Sequence, residues 1–170
     1  MNIRKILLSF TLAVALVLCV SAFAFGQDMG SMARNSAAMK LTTIPPLPTC
    51  ARGSVVNGDP SAGPSIIFAR STAGCVIPWH WHTPNEHVMI VRGTARFDMK
   101  DAKSVTLTPG GFAIMASQHP HQFNCIKGPC EIYVHSDAAF DLHYVDKAGN
   151  EMTPAAANKA VHQMAATAMK

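Results

Sequence analysis

The chain has 170 residues, a length that suits one domain, with 14 basic and 10 acidic residues and a formal net charge of +4. Two of the basic residues, Arg4 and Lys5, stand at the very start; without them the basic count falls from 14 to 12 against 10 acids, a net +2. A near-neutral chain with no run of Lys or Arg excludes nucleic acid and anionic membrane surfaces as electrostatic partners.

Residues 1–26 read as a secretory signal peptide. MNIRK is a short basic start, ILLSFTLAVALVLCV an apolar core, and SAFAFG a run of small residues that suits cleavage after Ala24 or Gly26. The apolar run is shorter than the ~20 residues that span a bilayer comfortably. A Leu rather than a small residue precedes Cys19, which argues against a lipid-anchored cysteine. The expectation is an exported protein, periplasmic or secreted, with no membrane partner once the leader is removed. Residues 27–48, rich in Met, Ala, Ser and Pro and ending in IPPLP, read as a flexible arm that becomes extended at the prolines.

The pattern changes over residues 49–146. Short apolar or alternating runs (SIIFARS, EHVMIVRG, TARFDM, GFAIMA, EIYVHS, FDLHYV) are separated by turn residues such as NGDPSAGP, STAG, TPN, PGG and KGP. Many short strands without a helical period predict an all-β sandwich or barrel of about one jelly roll. Residues 147–170 form a polar exit and a tail with helical composition. Thr153 is placed to cap that helix, with Pro154 at its first position and an Ala-rich run behind.

Beyond the leader lie Cys50, Cys75, Cys125 and Cys130. Export makes disulfides possible. CIKGPC sets Cys125 and Cys130 on either side of a four-residue turn, where hairpin strands bring them face to face. Cys50–Cys75 is then the remaining pair, although four cysteines allow three pairings and spacing alone does not choose.

The chemistry concentrates in GCVIPWHWHTPNEHVMIVRG, residues 74–93. On a strand, side chains i and i+2 share a face. His80 and His82 therefore point the same way, with Val76 and Pro78, while Trp79 and Trp81 face the other side. The TPN turn returns the chain, so Glu86 reaches the same face and His87 the opposite one. A further imidazole comes from PGGFAIMASQHPHQFNC, where His119 and His121 share a face. Burying so many polar groups without a partner would cost several kcal/mol. A bound cation removes that cost. Imidazole and carboxylate together suit Mn, Fe, Ni, Co, Cu or Zn better than Ca or Mg. His135 and His143 are further candidates to reach a cavity. Phe112, Ile114, Met115, Phe123 and Met89 are candidates for the barrel wall.

Gly74, His80-Trp81-His82, Glu86 and Gly93 resemble the first motif of the cupin superfamily at every fixed position. Gly110, Ala116, Gln118, His121 and Cys125 keep the spacing of its second motif, with Ala116, Gln118 and Cys125 where Pro, Gly and Asn are usual. The resemblance covers about residues 50–146. It implies a jelly-roll β-barrel holding one divalent transition metal through His80, His82, Glu86 and His121, with His119 nearby as a hydrogen-bonding or substrate contact. The chain also looks like the small exported single-domain bacterial cupins, and because cupins often pair through sheet edges the resemblance implies a possible homodimer. A four-ligand set leaves positions open for a small molecule. The implied activities are a metal-dependent oxidoreductase, dioxygenase-like, acting on a small oxygen-rich organic molecule, or a non-catalytic binder or sensor of such a molecule.

Overall fold

The computed structural model describes residues 31–168, and side chains to residue 161. The expected leader and the first residues of the expected arm lie outside the described residues. After a single 3-10 turn at Ser36–Ala38, the strands run β1 (Thr42–Thr43), β2 (Ala51–Gly58), β3 (Ser65–Ser71), β4 (Val76–Trp81), β5 (Glu86–Met99), β6 (Val105–Leu107), β7 (Phe112–Met115), β8 (His121–Ser136) and β9 (His143–Tyr144). One helix, α1 (Pro154–Ala168), follows. The all-β expectation with a short C-terminal helix holds. Thr153 caps α1 through its hydroxyl, which accepts from Ala156 N at 3.3 Å.

Two long strands organise the sheet. β5 and β8 run antiparallel from Glu86↔Ser136 to Met99↔His121. The two halves of β8 take different second partners, β3 at its C-terminal end and β4 at its N-terminal end. The free side of β5 takes β7 and then β6. The sheet thus curls on itself through the order β1-β2-β3-β8-β4-β9, with β5, β6 and β7 closing round from β8. Gly93 bends β5 with φ +83°, and a Cβ there would lie 2.6 Å from the Pro129 carbonyl oxygen and 2.9 Å from the Cys130 Cα. Only glycine satisfies both that conformation and that approach.

The inward face carries Ile67, Val88, Ile90, Phe97, Met115, Phe123 and Val134, all buried. Phe97 and Phe123 pair directly across the strands, with ring centroids 5.4 Å apart and edge to face, a contact worth ~1 kcal/mol beyond its buried area. Met115 and Phe123 are wall residues as expected. Phe112, Ile114 and Met89 are not: each is about half exposed on the outer face, beside Val91. Alternation groups residues by face without saying which face is inward, and here their neighbours Ala113, Met115, Val88 and Ile90 turn inward instead.

The later part of the expected arm joins the barrel. Thr42 and Thr43 pair with Arg52 and Gly53. Met39 is buried, and Ile44 and Leu47 pack on the core. The Tyr144 hydroxyl donates to the Pro46 carbonyl at 3.1 Å. The reason is the apolar content of the segment, which covers hydrophobic surface that an open barrel mouth would leave wet. Cys50–Cys75 ties the end of this segment to the start of β4, and Cys125–Cys130 closes a short loop within the single strand β8, where a hairpin of two strands was expected. No described helix is long and apolar enough to cross a membrane.

Candidate metal centre

All the candidate ligands sit at strand ends. His80 lies in β4 and His82 just beyond it; Glu86 opens β5 and His121 opens β8. His80 and His121 are direct cross-strand partners. One extra residue is inserted in β4 between Ile77 and His80, relative to Phe123 and His121 opposite. This bulge reverses the alternation. Ile77, not Val76, therefore shares the cavity wall with His80, which corrects the grouping expected from an unbroken strand.

The ligand atoms of His80, His82 and His121 all lie within 4.8 Å of one another, and all three residues are buried. Each imidazole is held from behind by a backbone carbonyl. Nδ1 of His80 contacts Pro78 O, Nδ1 of His82 contacts Asp141 O, and Nδ1 of His121 contacts His119 O at 2.9 Å. A carbonyl only accepts, so each Nδ1 carries the proton and each neutral ring turns an unprotonated Nε2 inward. Nε2 of His82 and of His121 are buried without a hydrogen-bond partner. Glu86 Oε2 stands 3.3 Å from the second and 3.7 Å from the first. Lone pairs facing a buried carboxylate at such distances repel unless a cation lies among them. The donor set fits a transition ion of borderline softness.

The electrostatics point the same way. Burial, then the neighbouring His121 and His82, hold His80 well below the ordinary 6.5. Burial also lowers His82, against the opposing pull of Glu86. Burial alone would raise Glu86, but His82 and His121 outweigh it and the carboxyl stays below its ordinary 4.5. Neutral His80 and His82 and an ionised Glu86 are the forms that ligate a metal.

A second set of contacts clamps the turn between the ligands. Asp141 accepts from the Thr83 backbone N–H at 2.7 Å and from the Thr83 hydroxyl. Asp137 accepts from Asn85 N at 3.0 Å, and Asn85 Oδ1 accepts from Ser117 N at 3.0 Å. Gln118 N donates to the His82 carbonyl at 2.8 Å. The Phe140 ring lies on the His82 ring, centroids 4.3 Å apart. Phe140 and Asp137 were not picked out in the sequence. In the sequence SDAA reads as ordinary turn punctuation and FDLHYV as a short strand, so neither residue is marked as a support of the ligands.

Four further histidines, His87, His119, His135 and His143, lie elsewhere. His119 is half-buried, supplies its carbonyl to His121, and is not among the residues lining the inner cavity. His87 and His135 form an outer-face pair, Nδ1 to Nδ1 3.2 Å, so His87 faces away from the cavity as its position predicts. His143 stacks on Trp81 at 3.9 Å and contacts Asp141 at 3.2 Å. Neither His135 nor His143 lines the cavity.

The cupin domain family model matches residues 68–136, the span that holds all four candidate ligands. The chain carries a cupin domain. Solved cupins repeat the fold. An RmlC-like cupin protein from Ralstonia eutropha JMP134 is 20% identical with a TM-score of 0.56, over 72% of this chain and 77% of that one. An RmlC-like cupin from Shewanella frigidimarina NCIMB 400 is 14% identical with a TM-score of 0.53, over 64% of this chain and 92% of that one. The DMSP lyase DddQ from Ruegeria pomeroyi DSS-3 is 21% identical with a TM-score of 0.52, over 59% and 57%. At these identities the likeness is one of fold. No curated protein matches the sequence.

Proposed function

We propose that this cupin is an exported metal-binding protein that holds one divalent transition metal through His80, His82, Glu86 and His121, and acts as a dioxygenase-like oxidoreductase on a small oxygen-rich organic molecule. The observation that carries the reading is the pair of buried, unpartnered Nε2 atoms of His82 and His121, aimed with His80 at one place beside an ionised carboxylate. A bound ion there supplies Lewis acidity and, if it is redox-active, an electron-transfer centre with positions open to ligand. The protein's own part is positional. The carbonyls of Pro78, Asp141 and His119 fix the three rings, and apolar side chains keep bulk water from the site. Two disulfides among the described residues support an oxidising, exported setting. The half-exposed apolar group of Met89, Val91, Phe112 and Ile114 supports pairing with a second copy.

A second reading, a metal-dependent binder or sensor without turnover, is favoured by one observation. Besides the ligand set, the titratable residue lining the cavity is Arg70, and its guanidinium is engaged by Glu131 at 2.8 Å. Among the described residues no separate acid or base stands ready for proton transfer along that wall. Metal content of the protein taken from its own compartment comes first. Oxygen uptake with flavonols, catechols, diketones and oxalate follows. About one ion per chain with uptake on one of these classes supports the oxidoreductase. A filled site that binds a ligand without turnover supports the binder, and a site that stays empty under added metal removes both.

A further inference from the structure

The inner cavity beside the three histidines is small, about 90 Å³. Away from the ligands, and apart from Ser71 and Arg70, its wall is hydrocarbon: Ile67, Ile77, Val88, Phe97, Phe123 and Val134 face it. Its one other charged residue, Arg70, is half exposed and committed to Glu131. A second, larger groove of about 410 Å³ lies outside, rimmed by Lys40, Ser54, Ser61 and Asp141. Ile44, Leu47, Ile67, Phe140 and Leu142 line both spaces. They form the partition between the two. Phe140 is its fixed point: its N–H donates to the Pro60 carbonyl at 2.7 Å and its ring rests on His82.

A ligand with a second anionic group would bury that charge against hydrocarbon with no free cation on the wall to meet it. Such burial is costly. A ligand with a long tail would have to displace the partition.

We infer, resting on the metal site proposed above, that the cavity takes a chelating oxygen ligand whose body is compact, uncharged and apolar, and that Phe140 sets the length limit by closing the inner cavity from the outer groove. The ligand's oxygens lie toward His80, His82 and His121, and its hydrocarbon body packs on Val88 and Phe123. Poly-anionic acids and extended molecules are selected against.

The test uses the full chain loaded with Zn²⁺, which does no redox chemistry, so that binding is read without turnover. Ion content is measured first. Calorimetry then compares catechol, 3,4-dihydroxybenzoate and 4-butylcatechol, three probes with the same chelating head. The expected result is catechol bound tightest, with the carboxylated probe about tenfold or more weaker. The butyl probe is also weak in the wild type and gains about tenfold in Phe140→Ala, where the two spaces join. Leu142→Ala opens the same partition and serves if the Phe140 variant does not fold. Ion content far below one per chain overturns the metal reading and this inference with it. A filled site that binds none of the probes, or holds the carboxylate as tightly as catechol, overturns this inference alone. A butyl probe that gains nothing from either opening overturns the role of Phe140.

Discussion

The His82 imidazole is held by the backbone carbonyl of Asp141, 59 residues further along the chain. The same aspartate uses its carboxylate to grip Thr83, the residue after His82. One residue thus fixes both the tautomer of a candidate ligand and the turn that carries it. Asp141→Ala keeps the carbonyl but releases the turn. Its expected effect is a metal affinity lowered by about tenfold to a hundredfold, the range seen when the supports of ligands are removed. Competition with a chromophoric chelator measures it. An affinity equal to wild type would show that the loop stays in place without the Thr83 contacts.

The ligands themselves separate sharply from their neighbours. His82→Ala and His121→Ala are expected to leave most of the protein without metal, since each removes an inward Nε2. His119→Ala is expected to keep most of it, because His119 acts on His121 through its carbonyl, which alanine retains. Metal-to-protein ratios after dialysis decide the matter. An empty His119 variant beside a filled His121 variant would reverse the assignment of the second motif.

Much of this was legible in the sequence, and the failures have physical causes. The strand rhythm and the ligand spacing are local properties and survive folding; the Cys125–Cys130 pairing also holds, although both cysteines lie in the one strand β8 and not on two strands of a hairpin. The bulge between Ile77 and His80 is not local: it exists only relative to β8, so no inspection of β4 alone reveals that Ile77 replaces Val76 on the cavity wall. Met89, Phe112 and Ile114 fail for a related reason, since a period of two fixes which residues share a face but not which face the barrel encloses. Ile44, Leu47 and Phe140 lie in irregular segments whose place is set by the mouth they cover.

The metal-free protein is expected to weaken as pH falls below 6.5. His80 and His82 have folded pKa values below the ordinary 6.5, so between the folded and unfolded values the unfolded chain binds more protons. Stability therefore rises with pH across that window and is lost on descending through it. The hydrogen-bonded Asp59, Asp137, Asp141 and Asp146 lie below their ordinary 3.8, and Glu86 below 4.5. Their contributions are lost only at lower pH. Urea midpoints of metal-free protein at about pH 7.5 and 5.5 should differ, and the difference should shrink in His80→Asn. Equal midpoints would mean that the buried rings are already charged in the folded chain.

The two disulfides differ in the loop they close. Cys50 and Cys75 are 25 residues apart, Cys125 and Cys130 five. On chain-entropy grounds alone the first stabilises by ~3.5 kcal/mol and the second by ~2 kcal/mol. Cys50→Ala with Cys75→Ala should therefore lower the denaturation midpoint more than the Cys125, Cys130 pair does. It should also loosen the segment that carries Ile44 and Leu47, seen as faster amide exchange there.

The second motif departs from its usual form at Gln118, and the departure has a backbone consequence. Gln118 adopts φ +57°, the left-handed region, at the position where the motif ordinarily has glycine. A side chain with a Cβ costs ~1–2 kcal/mol there. Gln118→Gly removes that cost but adds chain freedom to the unfolded state, worth ~0.5–1 kcal/mol in the other direction. The net expectation is a gain of about 0.5–1 kcal/mol, read from chemical denaturation. The hydrogen bond from residue 118 N to the His82 carbonyl is a backbone contact and survives the change, so metal content should stay the same. Gly93→Ala is the counterpart. It brings a Cβ to 2.6 Å from the Pro129 carbonyl as well as a strained φ, so it should cost several times what Gly74→Ala costs, where φ is +77° but nothing lies within 4 Å. Equal costs at the two glycines would mean that the bend of β5 opens freely to accept the methyl group.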